Sequence, residues 1–412
     1  RYGPRGVVTD LRQVTEADVY LGDQLVGTLV REPDDQVSFD YLGTCDPAGG
    51  AVRDRSVSWS LLRTGRFPVR ATGGAVPPFF AGLLPEGVRL GIVTTSTKTS
   101  PDDHLTLLLA VGADTIGDVR VVPTGTAPPG RLPMFDPRRD TDFKAVYATM
   151  AGSLAADPVG LSGVQPKVSA AMWSVPARTS AGAAILKLNP DRYPRLVDNE
   201  HFFMRMAAAC GLRAAKTELL EDNSGTRALL VSRFDRDDGR RIAQEDACQV
   251  ARLYPASKYR LKIEDAITTL ADACARGGGS RTVASLELLK TVVFSWLIGN
   301  GDLHAKNLSI YKPGGIWQPT PAYDLLTTQP YTGWQDPMAL DLYGRANRLD
   351  RAHFLAAAQR LGVRERAAAA MIGALCDAAQ PWLERCTEIG FDDRKTRLLT
   401  ALLRTRWDSL AA

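Results

Sequence analysis

Short apolar runs with period-two alternation occupy the first third of the chain, and 3.6-periodic apolar stripes take over after about residue 245. In Val19-Tyr20-Leu21-Gly22-Asp23-Gln24-Leu25-Val26-Gly27-Thr28-Leu29 a Gly-Asp turn separates two apolar runs, which predicts a hairpin. Val37 to Leu42 alternates as the next strand. The stretch from Pro77 to Gly87 mixes turn formers with aromatics that look exposed, and Leu105 to Val111 reads as a helix closing near Gly112. Pro, Gly and Arg punctuate residues 123–140, the expected linker. Beyond it, Lys167–Met172, Ala183–Leu188 and Arg227–Ser232 read as strands, and Glu200 to Cys210 as a helix stopped by Gly211. Helices are expected at Glu245–Leu253, Lys262–Ala275, Leu286–Ile298 and repeatedly from Ala352 to Leu410. The pattern describes an α+β chain in three parts: a β-rich unit over residues 1–130, a small β-rich lobe over 131–236 and a helical lobe over 237–412. A cleft is expected where the last two meet.

Composition narrows this picture only slightly. The 412 residues are 45% hydrophobic and 23% charged, which excludes collagen, coiled coil and wholesale disorder. The +4 charge is the small difference between 50 basic and 46 acidic residues, with no long basic run. Six scattered cysteines without a CxxC pair fit reduced, buried thiols and no structural zinc. No apolar stretch approaches the roughly 20 residues that span a bilayer, and the first 30 residues lack a signal-peptide core. The expectation is a soluble cytoplasmic protein, with a start at Arg1 that suggests native residues upstream.

The stretch with the most chemistry is Trp296-Leu297-Ile298-Gly299-Asn300-Gly301-Asp302-Leu303-His304-Ala305-Lys306-Asn307-Leu308. Asp302 and Asn307 are five residues apart, the spacing of a kinase catalytic loop. At that spacing an Asp can accept a hydroxyl proton while an Asn offers an amide oxygen to Mg²⁺ on the transferred phosphate. A hairpin follows, from Leu308 through the Lys312–Gly315 turn to Gln318, and should return Asp324 to the side of Asn307. The plainer alternative is a solvated turn at Asp302 and Asn307, with Asp324 capping a helix.

A phosphoryl-transfer site also needs a phosphate loop and a cation. Gly160-Leu161-Ser162-Gly163-Val164-Gln165-Pro166-Lys167 precedes an expected strand, so its backbone N–H groups could cradle phosphate, although it matches neither GxxxxGK[ST] nor GxGxxG and an ordinary hairpin loop reads equally well. Lys187 stands among apolar strand residues, either facing solvent or poised to hold phosphates; Glu200 is its candidate ion-pair partner, or simply an acidic residue favoured at a helix start. The four histidines are scattered and no G-x-S-x-G elbow is present, so metal-hydrolase and Ser-His-Asp schemes do not assemble.

Taken together, these blocks resemble HipA-type serine/threonine kinases, the toxins of bacterial toxin–antitoxin pairs. The resemblance runs through Leu25-Val26-Gly27, Phe79 to Gly87, Val111 to Val119, Leu161 to Lys167, Ile185 to Leu188, Asn199-Glu200, Val231 to Arg236, Gln244-Glu245-Asp246, Gly301 to Asn307 and Tyr323-Asp324. It implies Asp302 as the catalytic Asp and Asn307 with Asp324 as Mg²⁺ ligands. Lys187 and the segment carrying Ser162, Gly163, Val164, Gln165 and Lys167 would bind ATP phosphates. Backbone groups of Ser232 and Phe234 would hold adenine, Asp235 would reach the ribose, and His304, Lys306 and Tyr323 would complete the nucleotide contacts. Family members often carry an autophosphorylated serine before the phosphate loop; Gly160 stands at that position, so either Ser162 substitutes for it or that regulation is absent. Ser232 stands where an acidic residue is common. The implied partners are a small helix-turn-helix antitoxin, operator DNA through it, and a protein substrate; family substrates include aminoacyl-tRNA synthetases. Two other readings stay open: a kinase-fold phosphotransferase acting on a small molecule or peptide, and a nucleotide-binding regulatory module without catalysis.

Overall fold

The computed structural model describes residues 10–43, 56–130, 136–138, 142–143, 145–146, 172–190 and 192–412. Five antiparallel strands form the first sheet: β1 (Glu16–Leu21), β2 (Gln24–Arg31), β3 (Val37–Tyr41), β4 (Val69–Ala71) and β5 (Val119–Pro123), in the order β4-β3-β2-β1-β5. The expected hairpin is β1–β2, and Gly22 supplies its left-handed turn residue at φ 58°. Three helices accompany this sheet: α1 (Pro78–Ala81), α2 (Gly87–Thr97) and α3 (His104–Val111).

The aromatics of the Pro77–Gly87 segment differ from expectation. Phe79 and Phe80 are 2% and 0% exposed, because Pro78 starts α1 and its single turn lays both rings onto the sheet. Phe80 lies 5.0 Å from Phe39 of β3 and 5.2 Å from Phe79, centroid to centroid. Burying each ring stabilises this core by roughly 1.5–3 kcal/mol.

The second sheet has the order β6-β7-β9-β8, from β6 (Trp173–Thr179), β7 (Gly182–Leu188), β8 (Thr217–Glu221) and β9 (Arg227–Ser232). Strand periodicity does the positioning here. Ala184, Leu186 and Leu188 of β7 point into a small core with Ala177, Ala228 and Leu230, so Ile185 and Lys187 necessarily face the other way. The helix α4 (Leu196–Ala209) packs against β8 and β9. A short ribbon, β10 (Arg236–Asp237) with β11 (Arg240–Arg241), follows.

The remaining helices build the largest core: α5 (Ala247–Val250), α6 (Ile263–Arg276), α7 (Arg281–Ile298), α8 (Gln329–Thr332), α9 (Arg351–Arg360), α10 (Glu365–Ala379) and α11 (Asp393–Ala411). On this body lies a third sheet of β12 (Gln244–Asp246), β13 (Ser309–Tyr311) and β14 (Gln318–Pro319). The expected Glu245–Leu253 helix is therefore shorter. Gln244 to Asp246 pairs with β13, and a capping box of Asp246 with Gln249 starts the helix only at Ala247. Among the described residues no helix is long and apolar enough to cross a membrane, and the five described cysteines are buried and free. The Lys167–Ala171 part of one expected strand lies outside the described residues.

Candidate active site

The loop after α7 is shaped residue by residue. Gly299 ends the helix in the left-handed region at φ 73°, and the Asn300 N–H reaches back to the Ser295 carbonyl at 3.0 Å. The Asn300 side-chain oxygen accepts the Asp302 N–H at 2.9 Å, which tightens the turn. Gly301 must lack a side chain, because a Cβ there would stand 2.0 Å from Asp336 Oδ2. Leu303, fully buried, anchors the loop in the core. Asp302 is 2% exposed, and its Oδ1 accepts a hydrogen bond from the Tyr259 hydroxyl at 3.0 Å.

The hairpin returns the chain as expected: Ile310 pairs with Pro319 and Tyr311 with Gln318. Asp324 then takes a left-handed conformation at φ 58°, and its Oδ2 accepts from Asn307 Nδ2 at 2.9 Å. Lys187 of β7 donates to Asp324 Oδ1 at 2.9 Å and to both oxygens of Glu200 on α4 at 2.8 and 2.9 Å. Burial works against the Lys187 charge, yet Asp324 and Glu200 outweigh it and hold the ammonium above its ordinary range. Burial likewise opposes ionisation of Asp324, but Lys187 prevails and depresses its pKa. Glu200 goes the other way: burial, with Asp324 adding to it, pushes it up to about 7 against the pull of Lys187.

A cavity of about 290 Å³ opens beside this triad, lined by Lys187, Glu200 and Asp324 at one side and by Ser232 and Phe234 at another. Tyr323 lines it too, with its hydroxyl donating to the Lys306 carbonyl at 2.7 Å. Lys306 reaches the wall with its ammonium engaged, 3.1 Å from Glu86 Oε1 and donating to the Gly82 carbonyl at 3.1 Å. Glu86 is held down at about 2: burial opposes this, and Lys306 and Lys258 overcome it. Asp246, 3.8 Å from Lys306, is pushed up to about 6 by burial.

Three of the expected site residues already have partners within the protein. Asp235 is fully engaged: Arg233 grips both carboxylate oxygens at 2.9 and 2.7 Å, and Oδ2 also accepts from Arg236 at 2.7 Å and the Gly117 N–H at 2.9 Å. With four donors on it, the carboxylate ties the chain to the 114–117 loop at the wall of the cavity. The Ser232 N–H donates to the Lys216 carbonyl at 2.9 Å, so its amide belongs to the sheet edge. His304 does not line the cavity; its ring meets Tyr259 edge-on at 5.2 Å. Burial, with Lys258 adding to it, pushes His304 down to about 3, so it is neutral. Ser162, Gly163, Val164, Gln165 and Lys167, like Gly160, lie outside the described residues.

Sequence reasoning did not single out Tyr259, Lys258 or Glu86. Tyr259 and Lys258 carry no local signal, since they meet the loop only through the tertiary fold. Glu86 sits in the Leu84-Pro85-Glu86-Gly87 block, where an acid in a Pro-Gly turn was the available hint.

A small antiparallel sheet whose lysine is paired to a helix glutamate, set over a helical body with an Asp-to-Asn loop, defines the bilobal kinase-like fold. The chain belongs to the HipA family: the HipA-like C-terminal domain matches residues 159–383 and the HipA N-terminal domain residues 17–122. Two Sinorhizobium fredii proteins with kinase in their names are similar. Y4mE is 31% identical over 64% of this chain and 67% of its own length, and Y4dM 32% over 65% and 66%. The serine/threonine-protein kinase toxin HipA of Shewanella oneidensis is 26% identical over 78% of this chain and 77% of its own. A solved Shewanella oneidensis HipA, in complex with HipB and operator DNA, shares the fold at a TM-score of 0.74 and 20% identity, covering 95% of this chain and 96% of that one.

Proposed function

We propose that this chain is an ATP- and Mg²⁺-dependent serine/threonine protein kinase of the HipA toxin type, acting in the cytoplasm and neutralised by a small helix-turn-helix antitoxin that brings it to operator DNA. The supporting observation is the Lys187 ammonium held between Glu200 and Asp324, with Asn307 bonded to the same Asp324. This is the ion-pair geometry that a kinase uses to hold phosphates beside a metal site. The residues suit Mg²⁺: a carboxylate and an amide oxygen are hard donors, and this ion takes one or two carboxylates together with phosphate oxygens. Bound there, it would neutralise charge on the phosphates.

The chain's own groups do the rest. Asp302 accepts the proton of the attacking hydroxyl, and Tyr259 fixes its carboxylate through the 3.0 Å hydrogen bond. Lys187 pairs with the phosphates, and the segment from Ser162 to Lys167 would embrace them. Backbone groups of Ser232 and Phe234, both on the cavity wall, would hold adenine, and Tyr323 would lie beside it. In this reading the 1–130 unit is followed by a small lobe to residue 236 and a large lobe to 412. The substrate is a protein, by analogy with family members that modify aminoacyl-tRNA synthetases.

Incubation with γ-³²P-ATP and candidate proteins tests this. Asp302→Ala should keep nucleotide binding and lose phosphate transfer; undiminished transfer in that variant overturns the assignment.

A further inference from the structure

The cavity is not closed by the kinase lobes alone. The N-terminal domain supplies part of its wall, including Leu84, Ile116 and Arg89. Arg89 stands in the first turn of α2, half-buried, with the charges of Arg233 and Asp114 acting on it. Its neighbours Arg233, Arg236 and Arg241 all bind carboxylates directly: Asp114 accepts from the three of them at 3.1, 2.9 and 3.0 Å. The Arg89 guanidinium, by contrast, makes no hydrogen bond or direct ion pair among the described residues. Burial and the nearby Arg233 charge both disfavour its cationic form. The guanidinium carries five donors and lines the cavity, where acceptor atoms of a bound molecule can meet them.

We propose that Arg89 is a nucleotide-binding residue contributed by the N-terminal domain, its guanidinium donating to acceptor atoms at the base and ribose end of a purine nucleotide. The position follows from its neighbours. Arg233 adjoins Ser232 and Phe234 at the lobe connection, whereas Lys187 marks the phosphate end of the same cavity. The N-terminal domain thereby contributes to nucleotide affinity. The inference rests on the ATP-binding reading above.

Calorimetric titration of the full chain with ATP and with adenosine, for wild type, Arg89→Ala and Arg89→Lys, tests it, with melting of each protein with and without ATP. Arg89→Ala should weaken both ligands by about tenfold or more, the loss expected for a charge-assisted hydrogen bond. Its ligand-free melting temperature should stay level, because no hydrogen bond to a described residue is lost, while the ATP-induced rise shrinks. Arg89→Lys should fall between, having the charge without the planar fork. Unchanged affinity for adenosine in Arg89→Ala overturns the proposal, whether or not ATP binding suffers. A lower ligand-free melting temperature with an unchanged ATP-induced rise overturns it as well, by showing a structural role. If wild type binds neither ligand, the ATP-binding reading falls and takes this inference with it.

Discussion

Asn307 donates its side-chain amide to Asp324 at 2.9 Å although 17 residues separate them in the chain. The bond aligns an amide and a carboxylate from opposite ends of the β13–β14 hairpin. Asp324 tolerates its left-handed φ of 58° because a short polar side chain can bond locally, where most residues would pay about 1–2 kcal/mol. Asn307→Ala should leave the fold intact, since Lys187 still holds Asp324, and should raise the Mg²⁺ concentration needed for transfer by roughly tenfold to a hundredfold. A Mg²⁺ titration of phosphate transfer measures this directly.

Tyr259 places its hydroxyl 3.0 Å from Asp302 Oδ1. A donor to a carboxylate stabilises the ionised form, so removing it makes the carboxylate more basic. Tyr259→Phe keeps the ring against His304 and loses only the hydroxyl. Its transfer rate should fall by about tenfold or more, and the acidic limb of its pH–rate profile should move to higher pH. The KM for ATP should stay where it is. An unshifted profile would show that the hydroxyl serves packing alone.

How much of this could be read in the chain depends on how local each signal is. The Asp302-to-Asn307 spacing, the returning hairpin and the Lys187 strand are local patterns, and the structure brings Asn307, Asp324 and Lys187 together. Glu200 needed the fold to choose between capping a helix and pairing with Lys187, and the pairing is what it makes. The protein partners of Asp235 could not be read, because they include Gly117, 118 residues away, and two arginines whose side chains turn inward. Phe79 and Phe80 misled for a related reason: a Pro-rich segment looks like surface until the sheet it covers is known. Strands β6 and β8 escaped notice because Pro176 interrupts one and Glu218 and Glu221 dilute the other.

The contact between the N-terminal domain and the lobe connection is a buried charge network, and its balance predicts a large single-site effect. Asp114 and Asp235 together face Arg233, Arg236 and Arg241. Asp114→Ala leaves three largely buried guanidinium groups with one carboxylate, a situation that costs about 3–5 kcal/mol. The urea midpoint should fall accordingly. Because the two acids share partners, Asp114→Ala and Asp235→Ala should not add in the double variant. Additive losses would show two independent contacts.

Glu245 gives the stability a pH dependence of definite sign. It is 2% exposed on β12, accepts from the Ser58 hydroxyl at 2.6 Å and the Trp59 N–H at 2.9 Å, and has Asp246 and Asp118 adding to its field. Burial pushes its pKa up from 4.5 to about 8. Between those two values the folded chain keeps a proton that the unfolded chain releases. Stability therefore falls as pH rises through that window and levels off above it. Asp246, pushed up to about 6, acts in the same direction over a narrower range. Glu245→Gln keeps a neutral hydrogen-bonding side chain at every pH. Its melting temperature should drop less than that of wild type between about pH 4.5 and about pH 8, and the two proteins should converge in acid. Equal slopes in the two proteins would place the titrating group elsewhere.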